Sequence, residues 1–169
     1  MKHLILGGAR SGKSRYAQQL ATQSQKDVFY IATALAGDEE MRQRILRHQQ
    51  ERPPQWPLIE EPLFLAEALT KYAANDRCLI VDCLTLWLSN LLCSPHTPLF
   101  NEQYTALLAV LPDLPGDIVL VSNEVGLGII PLGELNRRFV DASGSLHQAL
   151  SPLCDRVLFM AAGLSLSLK

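Results

Sequence analysis

Eight residues near the start of the chain, Gly7-Gly8-Ala9-Arg10-Ser11-Gly12-Lys13-Ser14, have the types and spacing to bind phosphate. They fit the pattern G-x-x-x-x-G-K-[ST] at every fixed position. Gly7 and Gly12 allow a tight loop whose N–H groups point inward. Those dipoles, with the N-terminus of the following helix, cradle phosphate oxygens. Lys13 supplies a cation for β- and γ-phosphates, and Ser14 a hydroxyl for Mg²⁺. A chain of this length shows the pattern by accident roughly once in a hundred times. A second candidate is Asp82, which ends the apolar run Cys78-Leu79-Ile80-Val81. A carboxylate at the carboxyl end of a central strand, beside the loop, can hold Mg²⁺ directly or through water. Ser122-Asn123-Glu124 ends Ile118-Val119-Leu120-Val121 in the same way. Glu124 could orient Mg²⁺ or take the proton of a substrate hydroxyl; a solvated loop carboxylate is an equally good reading. His48 lies in Arg44-Ile45-Leu46-Arg47-His48-Gln49-Gln50-Glu51-Arg52-Pro53. Taken bare, a lone His near a helix end is more often solvated or satisfied in a core than catalytic.

These side chains need elements to position them. His3 to Leu6 is a short apolar run directly before the loop. Ser14 to Ala21 reads as a helix with Ala17, Leu20 and Ala21 on one face. Asp27 to Thr33 is a run of β-formers and the second strand. A helix from about Asp38 to Gln50 follows, acidic at its start (Asp38, Glu39, Glu40) and basic further along (Arg42, Arg44, Arg47). Met41, Ile45 and His48 share a face of it, and Pro53-Pro54 stop it. Trp56 to Glu60 is a short strand or an extended connection. Leu63 to Ala74 is amphipathic, with Leu65, Ala66, Leu69 and Ala73 inward. Leu84 to Cys93 is apolar on more than one face, which means core or a subunit contact. Asn101 to Leu111 and Leu135 to Leu150 are helices, with a glycine-punctuated loop from Val125 to Pro131 between them. Val157 to Met160 is a last core strand, and Leu164 to Leu168 a short edge strand. Strands alternating with helices predict an α/β fold with a mostly parallel sheet. Ligands bind past the carboxyl ends of such strands. Gly7–Ser14, Thr33, Asp82 and Asn123–Glu124 converge there.

The 169 residues predict one domain spanning the chain, and the net charge of −2 gives no argument for nucleic acid or an anionic membrane. The first strand begins at once with no signal peptide ahead of it, which predicts a cytoplasmic protein. Cys78, Cys83, Cys93 and Cys154 form no C-x-x-C pair and read as buried free thiols, and the four histidines have no metal-ligand spacing. The most apolar stretch, Cys83 to Cys93, is too short to span a bilayer.

The phosphate loop alone does not choose between a kinase, a nucleotide hydrolase and a switch. No Asn-Lys-x-Asp stretch is present, so the usual guanine-reading signature of switch GTPases is missing. A single-activity small-metabolite kinase and a non-enzymatic nucleotide-dependent regulatory protein both stay open on these residues. Several further segments narrow the choice. Gly7–Ser14, Tyr30-Ile31-Ala32-Thr33, Arg44-Ile45 through His48 to Arg52-Pro53, and Val81-Asp82-Cys83-Leu84-Thr85 occur in this order. Ser122-Asn123-Glu124-Val125-Gly126, Ala162-Gly163 and Leu168-Lys169 follow. Together they resemble the bifunctional adenosylcobinamide kinase / adenosylcobinamide-phosphate guanylyltransferase family of cobalamin synthesis. The resemblance runs from the first strand to the last residue. It is weakest over Ala34–Gly37 and Ser94–Pro98.

The resemblance implies a P-loop NTPase-like, RecA-like fold, with helices on both faces of the sheet and an antiparallel edge strand at the C-terminus. It implies two reactions. ATP or GTP phosphorylates adenosylcobinamide, and GTP then gives GMP to the product through a GMP-histidine intermediate, at the position that matches His48. It implies nucleotide contacts from Gly7, Gly8, Ala9, Arg10, Ser11, Gly12, Lys13, Ser14, Ile31, Ala32, Thr33, Gln49, Gln50, Glu51, Arg52, Glu60 and Asp82. Lys13 joins His48 in catalysis, Ser14 and Asp82 hold Mg²⁺, and Asn123 and Glu124 stand behind or beside the substrate. Glu60 is suited to the guanine N1–H and N2–H₂ edge. Arg10, Arg47 and Arg52 are cations for the α-phosphate, although a solvated helix face suits Arg47 as well. The implied partner is a corrinoid, and the implied assembly a homo-oligomer, a trimer.

Overall fold

The computed structural model describes residues 1–37, 39–40, 42–43, 46, 52–96 and 98–169. The strands are β1 (Lys2–Gly7), β2 (Asp27–Ala32), β3 (Leu58–Glu60), β4 (Arg77–Asp82), β5 (Asp117–Asn123), β6 (Arg156–Ala161) and β7 (Leu164–Ser167). The helices are α1 (Lys13–Gln23), α2 (Leu65–Tyr72), α3 (Leu84–Leu92), α4 (Leu99–Val110) and α5 (Glu134–Leu153). Of the expected Asp38–Gln50 helix, Glu39, Glu40, Arg42, Gln43 and Leu46 are helical, and Arg42 pairs with Glu39 at 2.7 Å. Asp38, Met41, Arg44, Ile45, Arg47, His48, Gln49 and Gln50 lie outside the described residues, as do Glu51 and Thr97.

One seven-stranded sheet runs in the order β3-β2-β4-β5-β1-β6-β7. All neighbours are parallel except β6 and β7, which pair antiparallel. Successive side chains of a strand point to opposite faces, so β1 feeds two cores. Leu4 and Leu6 join the larger one with Leu65, Leu69, Trp87, Leu88, Leu107, Leu146 and Leu150, beneath α2 to α5. Ile5 joins Ala17 and Ala21 of α1, with Val28, Ile80, Val119 and Val121, on the other face.

One of two open readings of α3 holds, and one expectation changes. The apolar α3 is core: Leu84, Trp87 and Leu88 are fully buried, which leaves no broad face for a subunit contact. The most exposed large apolar side chains lie in the segment after β5, where Leu127, Ile129, Ile130 and Leu132 are 75–99 % exposed, and on β7 at Leu164. Cys78, Cys83 and Cys154 are buried as expected, but Cys93, just past the end of α3, is exposed.

Candidate active site

The register puts the sequence motifs on one edge of the sheet. Gly7 at the end of β1 lies opposite Asn123 of β5 and Met160 of β6. Asp82 at the end of β4 lies opposite Ala32 of β2, and Ala32 opposite Glu60 of β3. β5 stands between β1 and β4, so Asp82 is two strands from the loop rather than directly beside it. Glu60 is four strands away, about 19 Å at the usual strand spacing, and exposed.

Gly7 ends β1 with φ 149°, and a Cβ there would stand 2.4 Å from the Met160 carbonyl oxygen. Only glycine fits. Gly12, at φ 98°, turns the chain into α1, and Tyr16 N–H bonds its carbonyl at 2.9 Å. The C-terminal turn supports the loop: Gly163 N–H donates to Ser11 carbonyl at 3.0 Å. β5 supports it too, through Glu124 N–H to Gly7 carbonyl at 2.9 Å. Lys13 folds over the loop and donates from Nζ to Gly8 carbonyl at 2.6 Å. Burial lowers its pKa from the ordinary lysine value, with Cys83 and Asp82 opposing. Gly8, Ala9 and Arg10 are exposed at the mouth of the loop.

Asp82 is held by a neighbour that sequence reading passed over as a β-former. Tyr30 donates from its hydroxyl to Asp82 Oδ2 at 2.5 Å. Burial, then the Asp82 charge, raise the Tyr30 pKa far above the usual phenol value, so the hydroxyl stays a donor. The Arg52 guanidinium lies 5.4 Å over the Tyr30 ring, and its buried Nε has no hydrogen-bond partner among the described residues. Asp82 closes β4, and Ser14 lies in the first turn of α1. These are hard oxygen donors, one carboxylate and one hydroxyl. They suit Mg²⁺, which takes few protein ligands and completes its shell with phosphates and water.

Ile31 and Thr33 are 0 % exposed, so their side chains face the interior. The Thr33 hydroxyl accepts from Cys83 N–H at 3.0 Å and donates to Cys83 carbonyl at 2.7 Å, across the cis Asp82–Cys83 peptide. Asn90 of α3 donates to Thr33 carbonyl at 2.8 Å and to Pro62 carbonyl at 3.0 Å. Sequence reading gave Asn90 no role; an Asn inside an otherwise apolar helix was the available signal. Asn123 N–H bonds Thr85 Oγ1 at 2.7 Å. Ser122 Oγ lies 2.8 Å from Nε2 of His147, whose Nδ1 lies 3.5 Å from Glu124 Oε2. The structure thus brings Gly7–Ser14, Asp82, Asn123 and Glu124 to one edge, with Arg52 over Tyr30. His48 to Glu51 lie outside the described residues.

The loop and its two carboxylate-bearing strand ends are the geometry of an enzyme that handles nucleoside triphosphates. Against known protein families, residues 3–168 match the model for cobinamide kinase / cobinamide phosphate guanyltransferase. The chain belongs to this family. A family relative, the bifunctional adenosylcobalamin biosynthesis protein CobP of Pseudomonas aeruginosa, is 56 % identical over 169 residues, all of this chain and 98 % of the relative. The bifunctional adenosylcobalamin biosynthesis protein CobU of Escherichia coli is 34 % identical over the whole of both chains. Among solved structures, a prototypical ATPase of the type III secretion system of pathogenic bacteria superposes with a TM-score of 0.51 at 14 % identity. That match covers 98 % of this chain and 56 % of that one, and it extends to the fold alone. The family fold here is thus P-loop NTPase-like.

Proposed function

We infer that the protein is a bifunctional transferase of cobalamin biosynthesis. It phosphorylates adenosylcobinamide and then transfers GMP from GTP to adenosylcobinamide-phosphate, forming adenosylcobinamide-GDP and pyrophosphate. The observation that carries this reading is the family match from residue 3 to residue 168 on a chain whose phosphate loop is built.

In the first reaction, the hydroxyl of the aminopropanol arm attacks the γ-phosphorus of ATP or GTP. The bond to the β–γ bridging oxygen breaks, and Glu124 takes the hydroxyl proton. Lys13, the loop amides and Asn123 hold the phosphates; Arg52 and Arg10 supply cations along the chain of phosphates. Ser14 and Asp82 would hold Mg²⁺, which neutralises phosphate charge when bound. In the second reaction, a neutral His48 nitrogen attacks the α-phosphorus and pyrophosphate leaves. A phosphate oxygen of the acceptor then displaces His48 and carries GMP away. Gln49, Gln50, Glu51 and the Ile31–Thr33 backbone flank the nucleotide. Glu60 reads the guanine edge. One domain spans residues 1–169, works in the cytoplasm, and assembles as a homo-oligomer, a trimer. Among the described residues no helix is long and apolar enough to cross a membrane.

The experiment is a labelling pair. The protein is incubated with Mg²⁺ and GTP labelled at the α- or the γ-phosphate, then denatured in alkali, with His48→Ala alongside. Acid-labile α-label on the wild type only, with no γ-label, supports the GMP-histidine step. No α-label on a protein that binds GTP moves the reading to a single-activity kinase.

A further inference from the structure

Behind the nucleotide edge lies a buried polar chain that the two reactions do not yet use. His147 is buried on α5, outside every sequence motif, in a helix otherwise packed by Leu146 and Leu150. Its Nε2 is 2.8 Å from Ser122 Oγ and its Nδ1 is 3.5 Å from Glu124 Oε2. Ser122 Oγ is in turn 3.4 Å from Thr85 Oγ1, which accepts the Asn123 N–H at 2.7 Å. Glu124 Oε1 accepts the Gly126 N–H at 2.6 Å.

With a neutral ring that donates toward Glu124, the donors take a single order. Glu124 is a carboxylate and accepts, so His147 must carry its proton on Nδ1. Nε2 is then an acceptor, and Ser122 must donate to it. Ser122 is left to accept from Thr85, whose hydroxyl oxygen takes the Asn123 N–H. Burial lowers the His147 pKa, which agrees with a neutral ring of fixed tautomer. The ring lies between β5 and the segment that follows it, with Nδ1 3.5 Å from one oxygen of Glu124. Gly126 N–H holds the other oxygen at 2.6 Å, so the carboxylate is approached from two sides at the position where β5 meets the phosphate loop.

We propose that His147 is the positioning residue for Glu124 in the kinase step, and that it serves only that step. This rests on the bifunctional reading above. The chemistry separates the two halves. In the kinase step the attacking group is an alcohol, so a proton must leave as the bond to the γ-phosphorus forms and the bridging bond breaks. A carboxylate held in place receives it. In the guanylyl step the nucleophiles are a neutral imidazole and an ionised phosphate. Neither has an alcohol proton to lose, so the orientation of Glu124 does not limit that step.

Two substitutions of similar size test this from opposite sides. His147→Asn keeps an N–H near the Nδ1 position and His147→Gln keeps one near Nε2. Phosphorylation of adenosylcobinamide and GMP transfer to chemically supplied adenosylcobinamide-phosphate are measured separately. His147→Asn should keep the kinase kcat within about threefold of wild type. His147→Gln should lose at least roughly tenfold in kinase kcat with little change in KM. GMP transfer by both should stay near wild type. Equal kinase losses in the two variants, or parallel losses in both reactions, would reduce His147 to a packing residue and overturn the proposal. An unchanged kinase kcat in His147→Gln would overturn it too. A wild type that does neither reaction fails the bifunctional reading instead.

Discussion

At the scale of single residues, the site depends on side chains that hold the chemical groups still. Tyr30→Phe removes the hydroxyl that anchors Asp82 and nothing else. A hydrogen bond to a charged group contributes about 1.5–3 kcal/mol, so the variant should lose about that much in urea unfolding. It should also need more Mg²⁺ for half-maximal rate, which a metal titration of either activity reads. The cysteines give an independent check on burial. The thiols of Cys78, Cys83 and Cys154 are pushed up to about 11, chiefly by burial, and stay protonated and shielded. Cys93 is exposed. Alkylation at neutral pH should label Cys93 alone in the native chain and all four cysteines after denaturation, read by intact mass. His147 and His3 are both lowered from the ordinary value of 6.5, mainly by burial; Glu124 opposes this at His147, while Arg156 adds to it at His3. The unfolded chain therefore binds protons that the folded one refuses. Stability should be present above about pH 6.5 and fall as the pH drops below it, a decline that chemical melts at pH 7.5 and 5.5 would show. The place of Asp82 at a strand end was legible from sequence because it closes the apolar run Cys78–Val81; an acid there is common, and the phosphate loop in the same chain is what singled it out. Tyr30, Ser122 and His147 were not legible. Tyr30 reaches Asp82 only because β2 and β4 pair in one register, with Tyr30 opposite Ile80, and 52 residues of chain separate the two.

At the scale of elements, the strands and most helices were legible because each carries a strong apolar period, and Leu4, Ile5 and Leu6 alternate between two cores as a central strand must. Strand order was not, since periodicity says which face is buried and nothing about which neighbour lies alongside. The insertion of β5 between β1 and β4 follows from long-range pairing, and it puts Ser122 and Asn123 rather than Asp82 next to the loop. The apolar excess of α3 was legible too, but its partner was not: Trp87 fills the core and donates from Nε1 to Leu63 carbonyl at 2.8 Å, inside the same chain. The end of α5 shows another connection hidden from sequence. Lys169 reaches back with Nζ to the carbonyls of Ser151 at 3.2 Å, Pro152 at 3.2 Å and Cys154 at 2.7 Å, where the helix exposes unpaired acceptors and its negative pole. Lys169→Met should cost about 1 kcal/mol in thermal or urea unfolding and leave the KM for GTP unchanged.

At the scale of the whole molecule, the exposed apolar residues are concentrated after β5 and on β7, which is where a partner surface would be sought. If that surface joins copies of the chain, Ile129→Glu with Leu132→Glu should lower the mass seen by light scattering toward that of one chain. An unchanged mass would assign assembly to other residues. The sheet order has a consequence of another kind, for synthesis. β1 precedes the other strands, yet its two neighbours, β5 and β6, are the fifth and sixth of the seven to be made. About 150 residues separate Gly7 from β6. At ribosomal rates of 5–20 residues per second, the first strand waits roughly eight to thirty seconds for its partners. Met160 and Gly163, which close around Gly7 and Ser11, arrive at the end of that wait. The nucleotide cradle is thus complete only long after its own motif has been made. A nascent chain stalled before β6 should carry every residue of the phosphate motif and still fail to hold GTP.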